Sequence, residues 1–186
     1  MALLIQTGKR RMLSRLLPGI SAAFLLYAGA QGQTLEEYQV KAAFLYNFAK
    51  FVNWPPQTFR SPDEPITICV AGEDPFGGVL RDTIKGREAA GRTLVVKNVS
   101  SAGHLAGCQI LFISNSEGKR FSLLSRIKQC GVLTVGETAG FAAAGGVINF
   151  KLKDGRVRFE INVDEAQQRE LRISSKLLTL AEVVKK

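Results

Sequence analysis

Gln109-Ile110-Leu111-Phe112-Ile113 runs straight into Ser114, and Ser114 with Glu117 has the form of a capping box. A short, continuously apolar run ending at a helix start is what a strand buried on both faces of a parallel sheet looks like. The same grammar recurs on either side. Ile66-Thr67-Ile68-Cys69-Val70 precedes Asp74-Pro75, a capping residue before a proline suited to the first helical position. Val132-Leu133-Thr134-Val135 follows a segment with helical character over 117–129, and Thr93-Leu94-Val95-Val96 supplies a further strand. Helices are expected over about 76–85 and 117–129, between these strands. Strands alternating with helices predict an α/β fold: a three-layer sandwich whose mostly parallel sheet is flanked by helices.

Upstream, Thr34 with Glu37 forms another capping box, and a helix is expected over about 35–53. Tyr38, Ala42, Leu45, Phe48, Ala49 and Val52 fall on one stripe, widened by Phe44 and Phe51, so more than one side must be covered. Core packing or a dimer seam would each serve. Downstream the pattern changes. Segments 147–152 and 156–161 flank Asp154-Gly155, a turn pair suited to a type I′ hairpin, so an antiparallel hairpin is expected near the C-terminus. With Lys153 opposite Arg156, period two places Ile148, Phe150, Leu152, Val157, Phe159 and Ile161 on one face. The other holds Asn149, Lys151, Lys153, Arg156, Arg158 and Glu160. Like charges face each other there, so this face should be well solvated or meet something anionic. Edge protection against aggregation is the simpler use of such charge. Asn162 with Glu165 marks one more helix start, and a final helix from Ser174 to about Val184 is expected to cover the sheet.

The 186 residues carry a formal charge of +9, which taken alone suggests nucleic acid or an anionic membrane. Its distribution argues otherwise. Lys9, Arg10, Arg11 and Arg15 precede an apolar run through Leu26 and the triplet Ala28-Gly29-Ala30, the order of a secretory signal peptide. The run is too short for a membrane span, which needs roughly 18 to 20 apolar residues. Cleavage is expected between Ala30 and Gln31, leaving 31–186 as a single exported domain, soluble in a periplasm or extracellular space. Of the 25 basic residues, 21 remain against 16 acidic ones, a net of +5 that requires no nucleic-acid partner.

Catalytic constellations are missing from the sequence. His104, the single histidine, sits in a Gly/Ser-containing stretch that reads as a surface loop, and no G-x-S-x-G, H-E-x-x-H or close Cys/His cluster occurs. No catalytic residue, metal ligand or cofactor is expected. The loop 71–78 lacks a P-loop lysine, and its Glu73-Asp74 pair would repel phosphate. A phospho-receiver domain would need an aspartate where Ser114 stands. The Gly-rich segment 136–146 reads as a tight connection or the lip of a ligand site. Cys69, Cys108 and Cys130 are an odd set in an oxidising compartment, so one is left over. If the strands near Cys69 and Cys108 are neighbours, a bridge between them could tie the sheet; pairings with Cys130 stay open.

Several phrases in order resemble the YfiR family of exported bacterial proteins: Val40-Lys41-Ala42-Ala43-Phe44-Leu45-Tyr46-Asn47-Phe48 with Trp54-Pro55, Asp74-Pro75-Phe76-Gly77, Cys108-Gln109-Ile110-Leu111-Phe112-Ile113-Ser114, Gly145-Gly146-Val147-Ile148-Asn149-Phe150 and Ile173-Ser174-Ser175-Lys176-Leu177-Leu178. The resemblance spans about 38–184. It implies a periplasmic α/β protein that restrains an inner-membrane diguanylate cyclase through the cyclase's periplasmic region, is drawn away by an OmpA-like outer-membrane lipoprotein, and forms a homodimer. It further implies a Cys69–Cys108 disulfide. The family's repressor has a second bridge near the hairpin, for which this chain has only Cys130, left unpaired. Partner-binding candidates, chosen by chemistry and expected exposure, are Lys151, Arg158 and Glu160 on the hairpin and Lys176 in the final helix. A periplasmic small-molecule sensor or solute-binding protein, using 72–78 and 136–146, is the second reading.

Overall fold

The computed structural model describes residues 21–100, 105–118, 122–127 and 131–185, with side chains from Thr34 onward except at 122 and 126; His104 and Cys130 lie outside the described residues. The chain divides into two units, 1–33 and 34–186, and the sheet with its covering elements belongs to the second.

Helix α1, Ser21–Phe51, is already helical well before the expected start. The residues from 21 to 33 contain no proline to interrupt it, so the Thr34 capping box has no terminus to cap. Strand β1, Val52–Asn53, follows, then β2, Ile66–Ala71, and α2, Val79–Ile84. Helix α2 starts later than Asp74-Pro75 suggests, because Gly77 takes φ +55°, outside helical space. Asp74 Oδ1 instead accepts the Phe76 N–H at 2.9 Å in a local turn. Strands β3, Glu88–Ala89, β4, Arg92–Val99, and β5, Ile110–Ile113, come next. Ser114 caps only a single 3-10 turn, Asn115–Glu117, which ends where Gly118 adopts φ +60°. Within the span 117–129 expected to be helical, the described residues hold α3, Ser122–Arg126.

Strands β6, Leu133–Gly136, β7, Ile148–Lys153, and β8, Arg156–Asn162, lead to α4, Val163–Gln168. Asn162 caps α4 as its spacing from Glu165 predicts, accepting the Glu165 N–H at 3.0 Å. Then come β9, Arg172–Ile173, α5, Ser175–Leu178, and β10, Glu182–Val184. The expected final helix thus stops after one turn. Val183 and Val184 are β-branched, and the open edge of β8 offers them a parallel partner, so the chain ends in a strand.

The main sheet has the order β10-β8-β7-β6-β5-β2-β4-β3; β1 and β9 form a separate antiparallel pair. Pairing is parallel from β4 through β2, β5 and β6 to β7, and antiparallel at the β7–β8 hairpin and the β3–β4 pair. The chain is the α/β sandwich expected, with the hairpin built into its sheet. Alternation along the strands sends Ile66, Ile68, Val70, Ile110, Phe112, Leu133 and Val135 to the layer under α1. Cys69, Ala71, Leu111 and Ile113 face the opposite layer, with α3 and Phe141. Over the hairpin, Phe48 stacks on Phe150 at 5.7 Å and meets Phe159 edge-on at 5.2 Å, while Phe44 adds a second edge contact to Phe159 at 5.1 Å. Such pairs contribute roughly 0.5–1.5 kcal/mol each beyond the area they bury.

Candidate functional site

The hairpin turn has the backbone its sequence demands: Asp154 and Gly155 take φ +51° and +68°. That turn fixes the register, which sets Lys151 opposite Arg158 and Lys153 opposite Arg156. Lys151 Nζ donates to Glu160 Oε2 at 2.9 Å and reaches Glu182 Oε2 at 3.4 Å. The hydrogen bond to Glu160 holds the Lys151 ammonium above its usual range. Glu160 also accepts from Asn149 Nδ2 at 3.1 Å. Asn149 lies on the face expected to be solvated and is nonetheless buried, its Oδ1 without a partner among the described residues. Segment 137–143 bounds a cleft of about 560 Å3 there, lined among others by Glu137, Gly140, Lys151 and Glu160.

Of the four partner-binding candidates, Lys151 and Glu160 are bonded to each other, Arg158 faces Lys151 across the ladder, and Lys176 stands exposed on α5 with no hydrogen bond or ion pair to the other three. Unlike Lys151, the exposed Lys153, Arg156 and Arg158 pair with no carboxylate among the described residues. Leu152, expected inside, is 62% exposed at the outer end of the same hairpin, where β7 runs past the aromatic cover that α1 gives Phe150.

The strand ends that would serve a solute-binding protein are filled by the chain itself. A Cβ on Gly72 would stand 2.5 Å from Ser116 Oγ, and that hydroxyl accepts the Glu73 N–H at 2.9 Å. Asp74 Oδ2 accepts from Asn98 Nδ2 at 3.3 Å, so this carboxylate serves the loop. In the Gly-rich segment, the Phe141 ring lies within 2.5 Å of where a Gly136 Cβ would be and 2.1 Å of one on Gly146. The glycines make room for that ring.

A buried polar cluster at these strand ends was not visible in the sequence. Lys41, on α1, donates to Glu137 Oε2 at 2.6 Å and pairs with Glu37 one turn away; the Tyr38 hydroxyl donates to Glu137 at 3.2 Å, and so does the Asn115 N–H at 2.9 Å. Burial and the Glu137 carboxylate push the Tyr38 phenol well above its ordinary value. The usable signal was a lysine inside the apolar stripe of α1, where an unpaired charge would be costly. Its partner lies 96 residues on, beyond the reach of spacing rules.

Cys69 and Cys108 are joined, Cα to Cα 5.7 Å, and covered by the layer containing Leu111 and Leu124. Strands β2 and β5 are neighbours, so the bridge ties adjacent parts of the sheet.

A comparison with curated proteins returned no significant match. The chain does match the YfiR/HmsC-like family over residues 38–182, from the tyrosine that bonds Glu137 to the glutamate that reaches Lys151. The family is regulatory rather than catalytic. With most of its length matched, the chain belongs to the YfiR/HmsC-like family.

Proposed function

We propose that this protein is a periplasmic repressor of an inner-membrane diguanylate cyclase, acting by binding the cyclase's periplasmic domain. The observation that carries the reading is the exposed hairpin end, where Lys153, Arg156 and Arg158 have no carboxylate partner among the described residues and stand beside a 62% exposed Leu152, on a chain of this regulatory family. In this reading residues 1–30 direct export and are removed between Ala30 and Gln31, and the exported domain works as a homodimer. The hairpin residues Lys151, Arg158 and Glu160, with Lys176, contact the cyclase. An OmpA-like outer-membrane lipoprotein competes for the repressor and relieves inhibition. Repression requires tighter binding to the inactive state of the cyclase than to its active state, since equal affinity shifts nothing.

Deleting the gene should raise cellular cyclic di-GMP and biofilm, and the exported protein supplied in trans should restore both. Unchanged cyclic di-GMP in a deletion strain whose cyclase is intact would rule the proposal out.

A further inference from the structure

The outer edge of β8 is only partly paired. Strand β10 runs beside Glu160, Ile161 and Asn162, and among the described residues no strand lies beside Arg156, Val157, Arg158 and Phe159 on that side. In a hairpin closed by a two-residue turn, the pair flanking the turn is hydrogen-bonded, here Lys153 with Arg156. Alternate residues then turn away, so Val157 and Phe159 direct their N–H and C=O groups toward the open edge. An unpaired edge is a template for another strand.

The chemistry around this edge specifies which strand. One face of the hairpin carries Lys153, Arg156 and Arg158, exposed and without a carboxylate partner among the described residues, while Glu160 is occupied by Lys151 and Asn149. The other face presents the exposed Leu152 beside half-buried Val157. A strand laid against β8 alternates its side chains between those faces. Acidic residues at every second position would meet Arg156 and Arg158, and apolar residues between them would cover Val157, next to which Leu152 extends the same apolar face on β7. Opposed like charges weaken the isolated hairpin, and the same arrangement becomes favourable once carboxylates are interposed.

We infer that the β8 edge at Arg156–Phe159 receives an extended segment of a partner protein by strand addition, the segment alternating acidic with apolar residues. The inference rests on the hairpin being the partner surface, and it names the chemistry of the segment that docks there.

The test uses the exported protein and a short synthetic peptide alternating glutamate with valine, beside a lysine-for-glutamate counterpart. The acidic peptide should bind in a salt-sensitive manner and slow hydrogen exchange at the Val157 and Phe159 amides. The lysine peptide should not. In R156E/R158E, whose changes are at exposed positions, affinity for the acidic peptide should fall by about tenfold or more and that for the lysine peptide should rise. Unaltered exchange at both amides, absence of acidic-peptide binding at low salt, or a change in self-association in place of peptide binding would each overturn the inference. Repression assayed in cells separates the two levels: loss of repression on deletion with full repression by R156E/R158E sinks the edge alone, whereas no effect of deletion sinks the cyclase reading and leaves the peptide result to judge the edge.

Discussion

Lys41 and Glu137 pair at 2.6 Å with 6% and 5% of their side chains exposed, although they stand 96 residues apart and on different layers of the sandwich. The pair fastens α1 to the loop after β6. Breaking a buried pair from one side leaves an uncompensated charge, at a cost of about 3–5 kcal/mol. The two halves are not equivalent. Without Glu137, Lys41 keeps Glu37, which is 27% exposed; without Lys41, Glu137 keeps only neutral donors from Tyr38 and Asn115. Urea unfolding should therefore show K41M as the more destabilised single variant. The double variant K41M/E137Q should be less destabilised than the sum of the singles.

Tyr38 should report alkaline pH. Burial first, and the Glu137 carboxylate second, raise its phenol above the ordinary 10.0. The folded state therefore holds this proton more tightly than the unfolded one, and the resulting stability is fully present below pH 10 and lost as pH climbs above it. Stability measured from pH 9 upward should fall more steeply for the wild type than for Y38F. Equal slopes would mean that Tyr38 is not the group responsible.

The Cys69–Cys108 bridge closes a loop with a sequence separation of 39. In the chain-entropy model its removal costs about 3–4 kcal/mol. C69A/C108A should lose stability of that order in reductant-free buffer, and intact mass should rise by two hydrogen atoms when the wild type is unfolded and treated with a thiol reductant. An unchanged mass would exclude the bridge.

Within the hairpin, neighbouring apolar residues should behave very differently. Phe159 is 2% exposed between Phe44 and Phe48, so F159A should cost about 3–5 kcal/mol. Leu152, 62% exposed, should tolerate alanine within about 0.5 kcal/mol. Comparable losses in thermal or chemical denaturation would mean that Leu152 is covered in solution.

The strands near 66–70, 109–113 and 132–135 were legible because burial on two faces leaves a nearly continuous apolar run, whereas 93–96 was legible from its β-branched residues although Val95 on it is 41% exposed. The hairpin was legible because Asp154 and Gly155 are residue types that tolerate the positive φ of a two-residue turn, and they stand between two alternating runs. Helix ends were less so. Ser114 and Asp74 do cap turns, but Gly118 and Gly77 adopt positive φ and stop those turns early, a choice made by the tertiary path. Strand β10 was hidden because a helical spacing of Leu177, Leu178, Ala181 and Val184 overlaps a segment for which the β8 edge provides a better partner. Of the candidate surface, the charged face was readable by period two. Asn149 is buried although it lies on that charged face, between Gly136 of β6 and Glu160 of β8, a tertiary setting no local pattern encodes.

The aromatic cluster that joins Phe44 and Phe48 to Phe150 and Phe159 has a kinetic consequence. The first helix cannot complete the cover of Phe44 and Phe48 until the hairpin, from the far end of the chain, has formed. Closure of so long a loop precedes the contacts that compensate for it, which slows folding.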